Sequence, residues 1–178
     1  VLAEDANLST PVWIMGREKL VTAAEGKTPD SAHDEPAIPI AAGIVRGVAR
    51  YLMDAGYAVL AELPLGNGRR ADLVAIDRAA SITIVEVKSG RADFMADHKW
   101  LSYLPYCDHF YFAVDRDFPL DLLPQDQGLI LADRFAAEIV REAQLHSLSA
   151  ARRKAMILRF ARAAAGRLSA LTNTSEIS

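Results

Sequence analysis

Hydrophobic residues along the chain recur with two periods, and the switches between them mark out an α/β domain. From Ala37 to Asp54, the residues Ala41, Ile44, Val45, Val48, Ala49 and Leu52 fall at helical spacing, with Pro39 near the start and Gly56 just past the end. Tyr57 to Leu63 reads as a strand, and Pro64-Leu65-Gly66-Asn67-Gly68 turns the chain. Two runs rich in β-branched residues follow, Ala71 to Ile76 and Ile82 to Val87, separated by Asp77-Arg78-Ala79-Ala80-Ser81. This spacing predicts a β-hairpin, and both faces of its strands are apolar, which predicts a sheet covered on both sides. After Ser89-Gly90 the pattern is helical again, with Phe94, Asp97, Trp100, Leu101 and Leu104 on or near one face. His109 to Val114 and Gly128 to Ala132 read as strands, joined by a link containing Pro119 and Pro124. Ala137 to Ala143 fits a helix or a strand, and a short strand is preferred. The last element, Ser149 to Leu171, is helical. On a 100° wheel Ala151, Ile157, Leu158, Ala161, Ala164, Ala165 and Leu168 form an apolar face, with Arg152, Arg153, Arg159, Arg162 and Arg167 on the other side.

Three ionisable side chains interrupt the hairpin: Asp72, Glu86 and Lys88. Strands disfavour acids and lysine, so these residues call for a reason. A hairpin centred on Ala79 pairs Ile76 with Ile82, Val74 with Ile84 and Asp72 with Glu86. Opposed Cβ atoms lie about 4.5–5.5 Å apart. Two carboxylates that close repel unless a proton or a cation neutralises them. Glu86 and Lys88, two apart, share a face. Hard oxygen donors of this kind suit Mg²⁺ or Mn²⁺. The plainer reading makes Asp72 a turn cap and Glu86 and Lys88 a solvated strand end.

Composition narrows the picture. The 178 residues are 51% hydrophobic, enough for one domain with a core. Twenty basic against 23 acidic side chains give a net charge of −3, so any nucleic-acid binding must use a local patch. The single cysteine, Cys107, excludes a disulfide framework and fits a reducing cytoplasm, and its aromatic surroundings favour packing over nucleophilic chemistry. No apolar run reaches membrane-spanning length, and the start of the chain has no basic-then-apolar leader pattern. Residues 1–36 carry little periodicity and read as an irregular arm with one docking segment, Val12-Trp13-Ile14-Met15. Residues 37–171 read as the single domain, and 172–178 as a disordered tail.

The series GRRADLVAID, EVKSG, DHKWLSYLPYCDHFYFAV and GLILAD resembles the MmcB-like DNA repair proteins of the PD-(D/E)XK nuclease superfamily over about Ile38 to Leu168. The resemblance implies a three-layer α/β/α sandwich with a mixed central sheet. It implies Mg²⁺- or Mn²⁺-dependent hydrolysis of phosphodiester bonds in DNA, with Asp72, Glu86 and Lys88 as catalytic residues and Asp72, Glu86 and the Val87 carbonyl holding the metal. Many such nucleases carry a further Glu on the first core helix. This helix has no acid between Ala37 and Met53, so that ligand falls to Glu35, Glu62 or water. The helix after the E-x-K strand often presents a polar residue and a tyrosine to the site, which makes Lys99 and Tyr103 candidates here. Asp93 is more simply an N-cap.

The acid-free stretch of arginines near the end of the chain is its strongest basic stripe, and phosphate-backbone contact explains it. Arg152, Arg153, Arg159 and Arg162 are expected on DNA, with Arg46, Arg50, Arg69, Arg70 and Lys99 along the same path. Expected partners are DNA and other DNA repair proteins, with no membrane and a cytoplasmic location. The rival to a nuclease is a non-catalytic nucleic-acid-binding or scaffold module on the same fold.

Overall fold

A computed structural model describes residues 38–96 and 99–175. The expected N-terminal arm, its docking segment and Glu35 lie outside the described residues, as do Asp97 and His98. Six strands form one mixed sheet in the order of the chain: β1 (Ala58–Pro64), β2 (Arg70–Ile76), β3 (Ile82–Val87), β4 (His109–Val114), β5 (Gly128–Ala132) and β6 (Ala137–Arg141). The pairs β1/β2, β2/β3 and β5/β6 are antiparallel, and β3/β4 and β4/β5 are parallel. The short strand preferred for the ambiguous segment is β6.

Helices cover both faces, as the two-sided apolar strands require. Helix α1 (Ile40–Asp54) packs Ile44, Val48 and Leu52 onto Leu73, Ala75, Val85 and Ile130. It ends in a Schellman turn, where the Tyr57 N–H reaches the Leu52 carbonyl, the Gly56 N–H reaches that of Met53, and Gly56 takes φ +88°. The other face carries Val74, Ile84, Phe110 and Phe112 under Phe94, Tyr103, Met156 and Phe160.

Three expectations are corrected. The helix after β3 is a short α2 (Arg91–Ala96), followed by 3₁₀ turns at Lys99–Ser102 and Leu104–Tyr106. Trp100 and Tyr103, three apart, both stack on Phe110 with ring centres 5.8 and 6.3 Å away. A 3₁₀ turn superposes such a pair, whereas a continuous α-helix splays it. The last helix, α3 (Ala150–Ser175), extends past Leu171 into the segment expected to be a disordered tail. Its rotation also differs from the expected one. Met156 and Phe160 face the sheet, while Leu158 and Leu168 are exposed. Burying Met and Phe removes more apolar area from water than burying an alanine-rich face.

The rotation of α3 is fixed by charge as well. Asp108 is 1% exposed, and it accepts both Arg153 guanidinium nitrogens together with the N–H groups of Ile82 (2.8 Å) and Leu148 (3.1 Å). Burial pushes the Asp108 carboxyl up, but Arg153 and the two backbone donors outweigh it and hold the carboxyl below the usual range. Cys107 is fully buried beside it, and burial, then Asp108, push its thiol up to about 12. A thiol of that kind packs and does not attack.

A candidate active site at the strand ends

The hairpin register follows the expected pairing from Ile76↔Ile82 to Leu73↔Val85. One step further the ladder opens. Asp72 turns its carboxylate to the Val87 N–H, which donates to Oδ2 at 2.8 Å. Asp72, Glu86, Val87 and Lys88 then line one cleft of about 600 Å³ beneath the first turns of α1. Arg46 of α1, Glu62 of β1 and Asp93 of α2 complete its polar wall.

Glu62 arrives there through a backbone irregularity. Ladder pairs Ala61↔Leu73 and Leu63↔Ala71 flank Glu62 and Asp72, which are themselves not paired. Glu62 has φ +54°. Leu60 packs on the α3 side of the sheet and Ala61 on the α1 side, yet Leu63 is back on the α3 side. The pleat shifts at this unpaired position on both strands, since Ala71 and Leu73 of β2 also lie on opposite sides of the sheet, and Glu62 lines the cleft there. A left-handed non-glycine residue costs about 1–2 kcal/mol. Arg167 of α3 offsets part of that cost by donating to the carbonyls of Ala61 (2.6 Å) and Glu62 (2.9 Å). The Glu62 carboxylate pairs with Arg70, and both side chains are largely exposed.

Lys88 is only 3% exposed. Its ammonium lies 3.2 Å from Glu86 Oε1 and 3.9 Å from Asp93 Oδ1. Asp93 is not an N-cap. It is the third residue of α2, and its Oδ2 accepts the Ser89 N–H (3.1 Å) and hydroxyl (3.3 Å). Its place in the cleft was readable from its position in the first turn after the E-x-K strand. Burial pushes the Asp72 carboxyl up. The Val87 N–H and Lys88 oppose this, Glu62 and Asp93 add to it, and the balance is upward.

The structure thus brings Asp72, Glu86, Val87, Lys88 and Arg46 together. Tyr103 is core, its hydroxyl donating to the Arg70 carbonyl at 3.1 Å, and exposed Lys99 is outside the cleft lining. Arg50 donates to the Phe135 carbonyl (3.2 Å), and Arg69 is half-buried beside Arg70. The expected solvent-facing stripe on α3 is broken up. Besides Arg153 on Asp108, Arg152 donates to the Pro105 carbonyl (3.1 Å) and Arg159 to that of Pro64 (3.4 Å). Arg162 is exposed and lines a groove against Leu63 and Pro64.

Among the described residues, no group of three or more His, Cys, Asp or Glu is arranged to hold a metal ion, and no helix is long and apolar enough to cross a membrane. Asp72, Glu86 and the Val87 carbonyl are nonetheless a hard-oxygen set of the size Mg²⁺ takes, one or two carboxylates with water or phosphate completing the shell. The upward push on Asp72 is what a cation would relieve.

The chain is similar to a solved structure of SPO1766 from Silicibacter pomeroyi, a protein of unknown function, at 43% identity and a TM-score of 0.74, covering 79% of this chain and 95% of that one. No curated protein matches it. The family model described as DNA repair protein MmcB-like matches residues 28–175, and the chain belongs to that family.

Proposed function

We propose that this protein is a metal-dependent deoxyribonuclease of the PD-(D/E)XK type, acting in DNA repair. The observation that carries the reading is the convergence of Asp72, Glu86 and a buried Lys88 in one cleft at the open end of the hairpin. Burying an ammonium and a carboxylate costs several kcal/mol per ion before their attraction offsets it. A strand end with only a structural role would lower that cost by exposing them.

Asp72, Glu86 and the Val87 carbonyl would hold Mg²⁺ or Mn²⁺. Such an ion supplies a bound water of lowered pKa and positive charge for the phosphate oxygens. The Val87 N–H orients the Asp72 carboxylate. Glu86 and Asp93 hold the Lys88 side chain at the cleft, where it would meet negative charge developing on a phosphate. Arg46, in the same lining, would take a neighbouring phosphate.

With Mg²⁺ or Mn²⁺ the wild type is expected to cut at least one of single-stranded, flapped or duplex DNA. Lys88→Ala is expected to lower the rate 100-fold or more, the scale of losing a group that stabilises transition-state charge. A panel left uncut by concentrated wild type with either metal favours the second reading, a non-catalytic DNA-binding or scaffold module. The lack of a three-acid group among the described residues supports that alternative.

A further inference from the structure

We propose that the groove between α3 and the end of β1 docks a short acidic peptide of a partner protein, with one hydrophobic side chain of that peptide seated between two arginines. This inference is independent of the metal site, which lies in a different cleft.

The helix presents two faces with different uses. Met156 and Phe160 are buried against the sheet. Ala155, Leu158, Arg159 and Arg162 recur at the three- and four-residue spacing that brings side chains together on one helix face, and with Leu63 and Pro64 they line a groove of about 460 Å³. Leu158 is 54% exposed there, so the core does not use it. Arg162 is exposed and has no hydrogen-bond or ion-pair partner among the described residues. Arg159 is braced by the Pro64 carbonyl at 3.4 Å through one nitrogen, which leaves its other N–H groups for a ligand. Neither the groove lining nor α3 carries a carboxylate. In a chain of net charge −3 this is a local positive field, complementary to an acidic ligand.

The apolar part of the lining decides which acidic ligand fits. Single-stranded nucleic acid is held by stacking bases on aromatic rings, and the groove lining has no aromatic residue. Duplex DNA presents phosphates on a convex surface, with no side chain to fill an apolar recess. An acidic peptide supplies both parts. Its hydrophobic side chain covers Leu63, Pro64 and Leu158, and its carboxylates take the guanidinium groups of Arg159 and Arg162 in charge-assisted hydrogen bonds. Two of the arginines expected on DNA thus serve a protein partner.

The test is fluorescence anisotropy of labelled synthetic peptides titrated with the full chain. The probes are short runs of Asp and Glu flanking a single Leu, Ile, Phe or Trp. One control replaces the acids by Asn and Gln, and another replaces the hydrophobic residue by Ser. At least one acidic peptide should bind, and both of its controls should bind at least about 10-fold more weakly. Arg162→Glu and Leu158→Gln change exposed side chains that the core does not use. Each should keep the wild-type melting temperature and lose about 10-fold or more in peptide affinity. If Arg162→Glu lowers the melting temperature, Arg162→Gln is judged in its place. Unlabelled single-stranded and duplex oligonucleotides should not displace the peptide. Wild type that binds no peptide of the panel at its highest soluble concentration overturns the proposal, as does a peptide held equally tightly by either variant. Displacement by an oligonucleotide overturns it in favour of DNA. A wild-type dimer in sedimentation that Leu158→Gln separates overturns it in favour of a second copy of the chain. Each of these results leaves the metal-site reading standing.

Discussion

Asp72 and Asp108 are both shielded acids, and their surroundings push them in opposite directions. Asp72 meets burial and two neighbouring acids with one backbone donor and Lys88 to offset them, so its folded pKa lies above the unfolded value. The folded state then holds the Asp72 proton more tightly than the unfolded chain. The stability this gives is complete below the ordinary aspartate value of about 3.9 and is lost as pH rises through the folded pKa. Asp108 is the reverse: its contribution is present above the ordinary value and is lost as pH falls through the depressed folded pKa. Asp72→Asn should therefore raise the Tm at pH 7, since the amide oxygen can still accept the Val87 N–H, and the gain should vanish below about pH 4. Asp108→Asn should cost about 3 kcal/mol at pH 7, as breaking a buried pair from one side does, with the deficit shrinking in acid. Thermal melts of both variants from pH 3 to pH 8 check the two signs together.

Helix α1 sits against the sheet at a distance set by Gly47. A Cβ there would lie 2.0 Å from the Asp133 carbonyl oxygen and 2.8 Å from that of Ala136, both backbone atoms that cannot swing aside. Gly47→Ala gains about 1 kcal/mol of helix propensity. Overpacking costs about 1–3 kcal/mol, so the net change should be destabilising. Chemical denaturation would show a lower midpoint at unchanged slope. α1 also roofs the cleft, so the same variant should disturb Mn²⁺ binding more than a surface change on α3 does. How well each element could be read from sequence depended on what fixes it. The hairpin was legible because a polar break of fixed length sets the register, and the register set the Asp72–Glu86 neighbourhood. The rotation of α3 was not, because a wheel weighs alanines by number and cannot see that Asp108, buried 45 residues earlier, requires Arg153 beneath the helix. The turned backbone at Glu62 left no sign either. Glutamate is not a residue that favours positive φ, and the two carbonyl contacts that support it come from the far end of the chain.

Among the described residues, basic side chains divide into those that hold the fold and those that face open space. Arg153 is committed to Asp108, and Arg167 to the β1 backbone. Arg46 lines the cleft wall. In a chain of net charge −3, DNA affinity under the proposed function would rest on a few such groups, each contributing about 0.9 to the slope of log affinity against log salt on duplex DNA. Arg46→Ala should lower that slope by about 0.9, whereas Arg153→Ala should lower the Tm and leave the slope unchanged. Fluorescence anisotropy over a salt series separates the two. The strand order, which simply follows the chain, has a consequence for assembly. Every strand joins the one made just before it, so during synthesis the sheet can grow by addition at a free edge without waiting for later segments. The contacts of Arg167 with Ala61 and Glu62 are different, because they close a loop of more than 100 residues. They form only after the last helix has left the ribosome, so a nascent chain carries its sheet well before it carries a finished cleft.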